Sequence, residues 1–265
     1  MAEVLLVNRR DGVATLTFNR PEVRNAIDQD SIALIERTLA ELEAEDDIRV
    51  VVFTGAGGNF VSGGDINFFR KSLDWPPEER RVRFAEVVRR IHPVIVILRR
   101  MRQLVIASVS GSCAGWGVSL TLASDLAIAA EDARFNLSYT SLGACIEGSG
   151  SFFLPRITGF KRAMGLAVLS NRFDAVTALQ YGIVNQIVPS AELSAATDEL
   201  ALRIAAGPAV AYAATKRLLN DSLTNTLEAQ MEAEAFAFGD CASSEDFAEG
   251  TRAFLDRRPA KFKGC

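Results

Sequence analysis

Two glycine-rich turns, each placed after an apolar run, are the features of this sequence that could stabilise a developing negative charge. Residues 110–120, SGSCAGWGVSL, join a strand-like run to a helix-like run, and residues 61–66, VSGGDI, form the second turn. The first amides of a helix lack intrahelical partners and lie at its positive end, so a turn of this kind can hold an anion or an oxyanion. The same glycines could instead serve close packing of a strand on a helix. Two donors converging on one oxygen would form an oxyanion hole, but spacing alone does not place the turns together.

A carboxylate is the expected acid–base group. The chain has one histidine, His92, which precedes a proline inside a helical pattern, and we expect it to be structural or at the surface. Glu147 is the single carboxylate of the Gly/Ser-rich loop 140–151. Apolar neighbours such as Ile146 and Phe152 would raise the pKa of Glu147, whereas a helix N-terminus would lower it. The sequence leaves open which effect prevails, and a solvated loop glutamate or a capping residue is the alternative role.

Composition excludes several classes of function. The 265 residues are 49% hydrophobic, which suits one large domain or a core with a helical appendage. A net charge of −4 favours neither nucleic acid nor membrane surfaces. The longest apolar run, residues 94–98, is too short to span a bilayer, and the start MAEV lacks a basic leader. The four cysteines lack metal-ligand spacing and indicate free thiols, so we expect a cytoplasmic protein without a metal.

Strand-like and helix-like runs alternate over most of the chain, and the last third is helical throughout. Neither a dinucleotide fingerprint nor a P-loop is present. The Asp11-Gly12 pair predicts a hairpin, and Asp28 or Asp30 is suited to cap the first helix. We predict strands at 3–8, 13–18, 49–54, 104–109, 126–130 and 184–188, and helices ending near 45, at 78–100 with an irregularity near Pro93, and at 118–124, 152–157, 161–169, 175–181, 192–206, 208–220, 223–238 and 244–255.

Four motifs, in the same order, resemble those of the enoyl-CoA hydratase/isomerase (crotonase) superfamily. They are NRPEVRNA at 19–26, FVSGGDI at 60–66, SGSCAGWG at 110–117 continuing to ASD at 123–125, and AFLDRRPAKF at 253–262. The resemblance covers nearly the whole chain. It implies an α/β fold, a crotonase spiral of ββα units over residues 1–190, followed by a helical trimerisation region over 191–265. It also implies an acyl-CoA thioester substrate with no further cofactor, and self-association as a homotrimer or a dimer of trimers.

The resemblance implies specific roles for residues of these motifs. The backbone N–H groups of Gly64 and Trp116 would form an oxyanion hole for the thioester carbonyl, and the Trp116 indole would shape the acyl pocket or pack in the core. Helix 78–100 and the loop 71–77 would roof that pocket. Arg24 would contact coenzyme A phosphates, and Phe254 and Arg257 would reach coenzyme A, often from a neighbouring subunit. The full set implied to bind substrate or coenzyme A is Arg24, Ala26, Gly63, Asp65, Ile66, Phe254 and Arg257.

Two departures from the family pattern decide the expected reaction. The two glutamates with which hydratases activate water correspond to Ser119 and Tyr139, and neither side chain can do carboxylate work near neutral pH. Glu147 resembles the single acidic residue of Δ3,Δ2-enoyl-CoA isomerases, with Ile146 where those enzymes carry proline. The 4-chlorobenzoyl-CoA dehalogenases carry a nucleophilic aspartate at this position, which makes a dehalogenase less expected for a glutamate.

We therefore predict double-bond isomerisation of an enoyl-CoA, with Glu147 as acid and base and Tyr139 orienting the substrate or binding a leaving oxygen. A hydratase or hydrolase in which Glu147 activates water is the first alternative. The second alternative is a non-catalytic member of the superfamily that binds acyl-CoA or RNA.

Overall fold

A six-stranded sheet lies at the centre of the fold in the computed structural model, which describes residues 3–265. Its order is β1-β2-β3-β4-β6-β9, and all neighbouring pairs are parallel except β1 with β2. These strands are β1 Leu5–Arg10, β2 Val13–Phe18, β3 Val50–Gly55, β4 Leu104–Val109, β6 Leu126–Ala130 and β9 Gln186–Val188. A smaller sheet of order β5-β7-β8 stands beside it, with β5 Ser112–Ala114, β7 Arg134–Asn136 and β8 Phe173–Asp174.

Helices connect the strands and form the last third of the chain. Of the helices within residues 3–265, none combines the length and the apolar character needed to cross a bilayer. They are α1 Gln29–Ala44, α2 Ile66–Ser72, α3 Pro77–Arg100, α4 Trp116–Ala123, α5 Gly150–Thr158, α6 Phe160–Leu169, α7 Ala175–Gln180, α8 Leu193–Ala205, α9 Ala209–Asp221, α10 Leu227–Ala242 and α11 Glu245–Leu255. The mixed α/β architecture with C-terminal helices confirms the predicted fold class.

Local signals in the sequence account for the first hairpin and the first helix. Asp11 and Gly12 have φ angles of 51° and 79°, as a two-residue hairpin turn between β1 and β2 requires. Of the two candidate caps for α1, it is Asp28 that accepts the backbone N–H of Ser31, at 2.8 Å. This cap satisfies one of the amides that the first turn leaves without an intrahelical partner.

Other boundaries differ from the predictions. α3 continues through Pro93, so the predicted irregularity does not break the helix. α10 begins at Leu227 rather than at 223, because the Thr226 side chain accepts the N–H of Ala229 and caps the helix there. Pro208 is the capping residue of α9 instead of its first helical residue. The short strand β5, inside the glycine-rich turn 110–120, was not predicted.

Both faces of the main sheet are covered. On one face, α1 and α3 contribute to a large apolar core together with the side chains of β2, β3 and β4. On the other face, α8 packs Ala201, Ile204 and Ala205 against Val13 and Val50. The strand β3 is therefore buried on both sides, as its unbroken apolar run indicated. The predicted division of the chain at residue 190 stays a prediction, and α8, which follows it, lies on the sheet.

A buried ionic group at Asp125 ties α3 and α9 to the sheet. The carboxylate of Asp125 lies 2.8 Å from Nζ of Lys216 and 3.1 Å from Arg99, and it also accepts the N–H of Val105. The Lys216 side chain is only 3% exposed, and burial lowers its pKa while the Asp125 charge opposes that shift. Because the ammonium has little water around it, Asp125 is the group that keeps it charged.

We expect Asp125→Asn to destabilise the protein by about 3–5 kcal/mol, since the two cations would be left buried without their counter-ion. Denaturant-induced unfolding followed by circular dichroism measures the change. Asp46→Asn is the matched control, because the Asp46 carboxylate pairs with Arg102 at 2.6 Å but its side chain is 90% exposed. A loss of stability no greater than that of the control would contradict a role of Asp125 in holding the helices.

Candidate active site

A cavity of about 1550 Å³ collects most of the residues that the sequence singled out. Both glycine-rich turns, α2, α3 and the loop before α5 line it. Phe254 and Arg257 lie outside the cavity of this chain, at the end of α11 and just beyond it. The predicted residues that the cavity brings together are Arg24, Ala26, Gly63, Gly64, Asp65, Ile66, Trp116, Tyr139 and Glu147.

The two glycine-rich turns are in backbone contact. A Cβ atom placed on Gly63 would lie 3.3 Å from the carbonyl oxygen of Ala114 and 3.8 Å from Cα of Gly115. The segments before these glycines pair as well, because the N–H of Ala114 donates to the carbonyl of Val61 at 2.8 Å. Gly63 and Gly115 both have positive φ, at 100° and 51°. The convergence that the spacing left open is therefore present, and it depends on residues without side chains.

Two backbone donors of these turns remain free at the cavity. Ile27 bonds to both neighbours of Gly64, through the carbonyl of Gly63 at 2.8 Å and the N–H of Asp65 at 3.0 Å. The N–H of Gly64 therefore points away from Ile27. Trp116 is the first residue of α4, where an amide has no intrahelical acceptor. Within residues 3–265, neither N–H donates to a protein acceptor, so both are available to a ligand.

Glu147 is held by a tyrosine and keeps one oxygen free. The phenol of Tyr139 donates to Oε1 of Glu147 at 2.8 Å, while Oε2 is buried with no partner among the described residues. Burial raises the pKa of Glu147, and the hydrogen bond from Tyr139 offsets only part of that shift. Burial also raises the pKa of Tyr139 well above its usual value, and the nearby Glu147 charge adds to this. Tyr139 thus stays protonated as a donor.

Ser119 supports the loop that carries Glu147. Its hydroxyl is fully buried on α4 and donates to the backbone carbonyl of Glu147 at 2.9 Å. Ser119 thus anchors the backbone at the residue that carries the carboxylate. Phe152, expected beside Glu147, is instead partly exposed and lies under the guanidinium of Arg156.

The Trp116 indole packs against the same loop. The residue is 3% exposed, and a Cβ atom on Gly148 would lie 2.6 Å from Cδ1 of the indole. Gly148 also has a positive φ of 60°. The side chain of Trp116 thus packs between its own helix and Gly148, next to the contact that Ser119 makes with the Glu147 carbonyl.

Two residues of the first motif have roles that sequence reasoning missed. Arg20 forms ion pairs at 2.9 Å with both Asp28 and Asp65. Burial raises the pKa of Asp65, but the hydrogen bonds from the Asn67 N–H and Arg20 outweigh it, and the pKa falls below its usual value. Asn25 is buried and accepts the backbone N–H of Arg20 at 2.9 Å. Its Nδ2 donates to the carbonyls of Ala56 at 3.0 Å and Asn59 at 2.7 Å. Both residues lie in NRPEVRNA, which was the available signal, but Asp65, Ala56 and Asn59 are distant in sequence.

The cavity wall formed by α2 and α3 is apolar and aromatic. Phe68, Phe69 and Phe84 have ring centroids 5.3–6.4 Å apart and all line the cavity, and Phe69 reaches Gly64, where a Cβ atom would lie 3.1 Å from its ring. This placement agrees with the expectation that the helix 78–100 would border the pocket. His92 is exposed on the same wall of α3. No group of three or more potential metal ligands occurs in the described part of the chain.

Comparisons with known proteins agree with this fold. The sequence model of the family described as Enoyl-CoA hydratase/isomerase matches residues 8–265. The chain is 34% identical over 264 residues to the 1,2-epoxyphenylacetyl-CoA isomerase of Escherichia coli K12, with 100% of both chains covered. It is 34% identical to a protein of Rhodobacter capsulatus named "Probable enoyl-CoA hydratase", covering 96% of this chain and 95% of the relative.

Solved structures of related proteins have the same fold. The crystal structure of an enoyl-CoA hydratase from Polaromonas sp. JS666 superposes with a TM-score of 0.91 at 30% identity, covering 98% of this chain and 99% of that one. The paired turns bring two free amides to the cavity that Glu147 also lines. This chain belongs to the enoyl-CoA hydratase/isomerase family.

We expect Gly148→Ala to displace the Trp116 indole and to destabilise the protein by about 1–3 kcal/mol more than a matched control, because the new methyl group overlaps the ring. Gly143→Ala is that control, since Gly143 has a similar φ of 71° but nothing within 4 Å of its Cβ position. Chemical denaturation and tryptophan emission measure the two effects. Equal behaviour of the two variants would contradict the close contact.

Proposed function

We propose that this chain isomerises the double bond of an enoyl-CoA, with Glu147 as the single acid–base group. The observation that carries the proposal is the state of this carboxylate. The residue is half-buried, its pKa is raised, and its buried Oε2 has no partner among residues 3–265, in a cavity that the two residues with free N–H groups also line. A carboxylate in such a setting is suited to taking up and returning a proton.

Each part of the site has a task in the proposed reaction. The N–H groups of Gly64 and Trp116 donate to the thioester oxygen and stabilise the negative charge that develops there. Glu147, as carboxylate, removes a proton from C2 of a 3-enoyl thioester, which leaves a dienolate. The protonated Glu147 then returns the proton to C4 and gives the 2-enoyl thioester. Tyr139 acts by holding Oε1, which leaves Oε2 to face the substrate.

The names of the relatives do not decide between double-bond isomerisation and hydration. The Rhodobacter capsulatus relative is named a probable enoyl-CoA hydratase, whereas the Escherichia coli relative is named for isomerising an epoxide, 1,2-epoxyphenylacetyl-CoA. Isomerisation is favoured because Ser119 and Tyr139 stand where a hydratase would carry its two glutamates. Both side chains are engaged with Glu147, through its carbonyl and its carboxylate. Activation of water by Glu147 alone remains the second candidate, because Oε2 has no partner.

The coenzyme A part of the substrate would lie at the rim of the cavity. Arg24, in a left-handed conformation with φ of 51°, lines this rim, and Ile66 beside it is 62% exposed. Asp65 caps α2 and pairs with Arg20, so we assign it a role in shaping the rim. No further cofactor is proposed, since coenzyme A is part of the substrate.

We also propose self-association as a homotrimer or a dimer of trimers. Phe254 is 83% exposed on α11, so a role for it and for Arg257 in binding coenzyme A needs a second copy of the chain. Large apolar side chains on the C-terminal helices support such packing. The exposed ones are Leu227, Met231, Phe236, Phe238, Phe247, Phe254 and Leu255.

We expect Glu147→Gln to lower conversion of 3-enoyl-CoA to 2-enoyl-CoA by about 10²–10⁴-fold, because the amide cannot carry the proton. The conjugated product is followed by its ultraviolet absorbance. Glu131→Gln, at an exposed turn residue, is the control and should retain full activity. Undiminished conversion by the Glu147 variant would exclude the proposed role.

Labelled water separates the two candidate reactions. Incubation of the wild-type protein with a 2-enoyl-CoA in ¹⁸O-water should leave the acyl group free of label if the protein isomerises. Label in a stable hydroxyl group would indicate hydration, and label in a released carboxylate would indicate hydrolysis of the thioester.

We expect Tyr139→Phe to move the acid limb of the kcat/KM profile to higher pH and to lower kcat. Glu147 must be ionised to accept a proton, so activity rises as pH increases through its raised pKa. The Tyr139 hydrogen bond lowers that pKa, and its loss therefore shifts the limb upward. Tyr181→Phe, at a tyrosine that lies against Arg162 outside the cavity, is the control. An unchanged limb in the Tyr139 variant would contradict the assigned contact.

A further inference from the structure

Three polar side-chain atoms on residues that line the cavity are buried without a hydrogen-bond partner among residues 3–265. They are Nε1 of Trp116, Oε2 of Glu147 and Oγ of Ser149. All three residues line the cavity. Buried polar groups in native proteins are nearly always paired, and each unpaired one carries a desolvation cost of about 1–3 kcal/mol. Three such unpaired atoms on residues of one cavity therefore point to a polar group of the ligand that pairs with them.

The three atoms belong to one local cluster. Glu147 and Ser149 flank Gly148, and a Cβ atom on Gly148 would lie 3.3 Å from Nε1 of Trp116. The edge of the indole that carries the N–H thus faces this segment of the loop. Gly148 and Ser149 both have positive φ, at 60° and 70°, and they form the segment that must shift for a ligand group to reach the indole.

The chemistry of the three atoms specifies the group that would satisfy them. An indole N–H only donates, so the ligand must offer an acceptor. Oε2 of the ionised Glu147 only accepts, so the ligand must also offer a donor. A hydroxyl group does both, and Oγ of Ser149 can bond to it in either sense. A plain hydrocarbon chain would leave all three atoms unpaired.

We infer that the Trp116 indole, Glu147 and Ser149 form a polar subsite for a hydroxyl group on the acyl chain of the substrate. The preferred substrate class is then a hydroxylated acyl-CoA thioester, and Trp116 is a specificity-determining residue through its side chain as well as a donor through its backbone. This inference rests on the proposed function, because it takes the cavity to bind an acyl thioester.

Equilibrium binding tests the subsite without relying on turnover. Isothermal titration calorimetry compares butyryl-CoA with 2-hydroxybutyryl-CoA, 3-hydroxybutyryl-CoA and 4-hydroxybutyryl-CoA. We expect at least one of the hydroxylated probes to bind the wild-type protein about tenfold more tightly than butyryl-CoA, as one buried hydrogen bond allows. Trp116→Phe keeps the backbone N–H and should reduce that preference to about twofold or less.

Two further proteins control for the substitution itself. Trp75→Phe makes the same change at the other tryptophan, which lies outside the cavity, and should keep the preference. In that background, biosynthetic replacement of Trp116 by benzothienylalanine exchanges the N–H for sulfur and keeps the ring shape. Loss of the preference in this analogue supports the subsite even if the Trp116→Phe variant fails to fold.

Two results overturn the inference. One is equal affinity of the wild-type protein for all four thioesters, and the other is a hydroxyl preference that survives removal of the indole N–H. Both leave the proposed function standing, because binding of butyryl-CoA itself shows that the cavity takes an acyl thioester. A wild-type protein that binds none of the four probes overturns the inference and the proposed function together.

Discussion

The backbone contact between the two glycine-rich turns is the constraint on which the site depends. The turns are joined where Ala114 donates to Val61 and where Gly63 meets Gly115. No side chain fits between them, and a Cβ on Gly117 would lie 2.3 Å from the carbonyl of Val61. The parallel main sheet holds both turns at the same end of their strands. Two amides are left free as a result, and the rest of the cavity is arranged around them.

The second constraint is the burial of a carboxylate. Two hydrogen bonds hold Glu147 where its carboxylate is largely shielded from water. Tyr139 donates to one carboxylate oxygen, and Ser119 donates to the backbone carbonyl of Glu147. These two residues stand at the positions that the family resemblance assigns to glutamates in hydratases. The hydroxyl groups of Ser119 and Tyr139 instead hold the backbone and the carboxylate of Glu147. Burial then raises the Glu147 pKa toward the range useful for proton exchange.

Several features of the fold follow from local signals. The Asp11-Gly12 turn and the continuous apolar strand β3 formed where their patterns predicted them. The secondary-structure predictions were wrong where contacts between distant segments determine the local structure. The strand β5 is three residues long and exists because Val61 and β7 pair with it. The helix predicted at 78–100 formed at Pro77–Arg100, and it continues through Pro93 with Val94 and Leu98 in the core beyond the proline.

The sequence by itself determined the chemistry that the site has available. It showed two glycine turns, one candidate carboxylate, and motifs that resemble one superfamily, because residue types and short spacings are properties of the chain alone. Tertiary structure decided that the turns meet, that burial outweighs other effects on the pKa of Glu147, and that Tyr139 donates to this acid. It also gave Arg20 its partner Asp65, and Asn25 the carbonyls of Ala56 and Asn59. Distance and burial arise from contacts between segments far apart in the chain, and no local pattern encodes them.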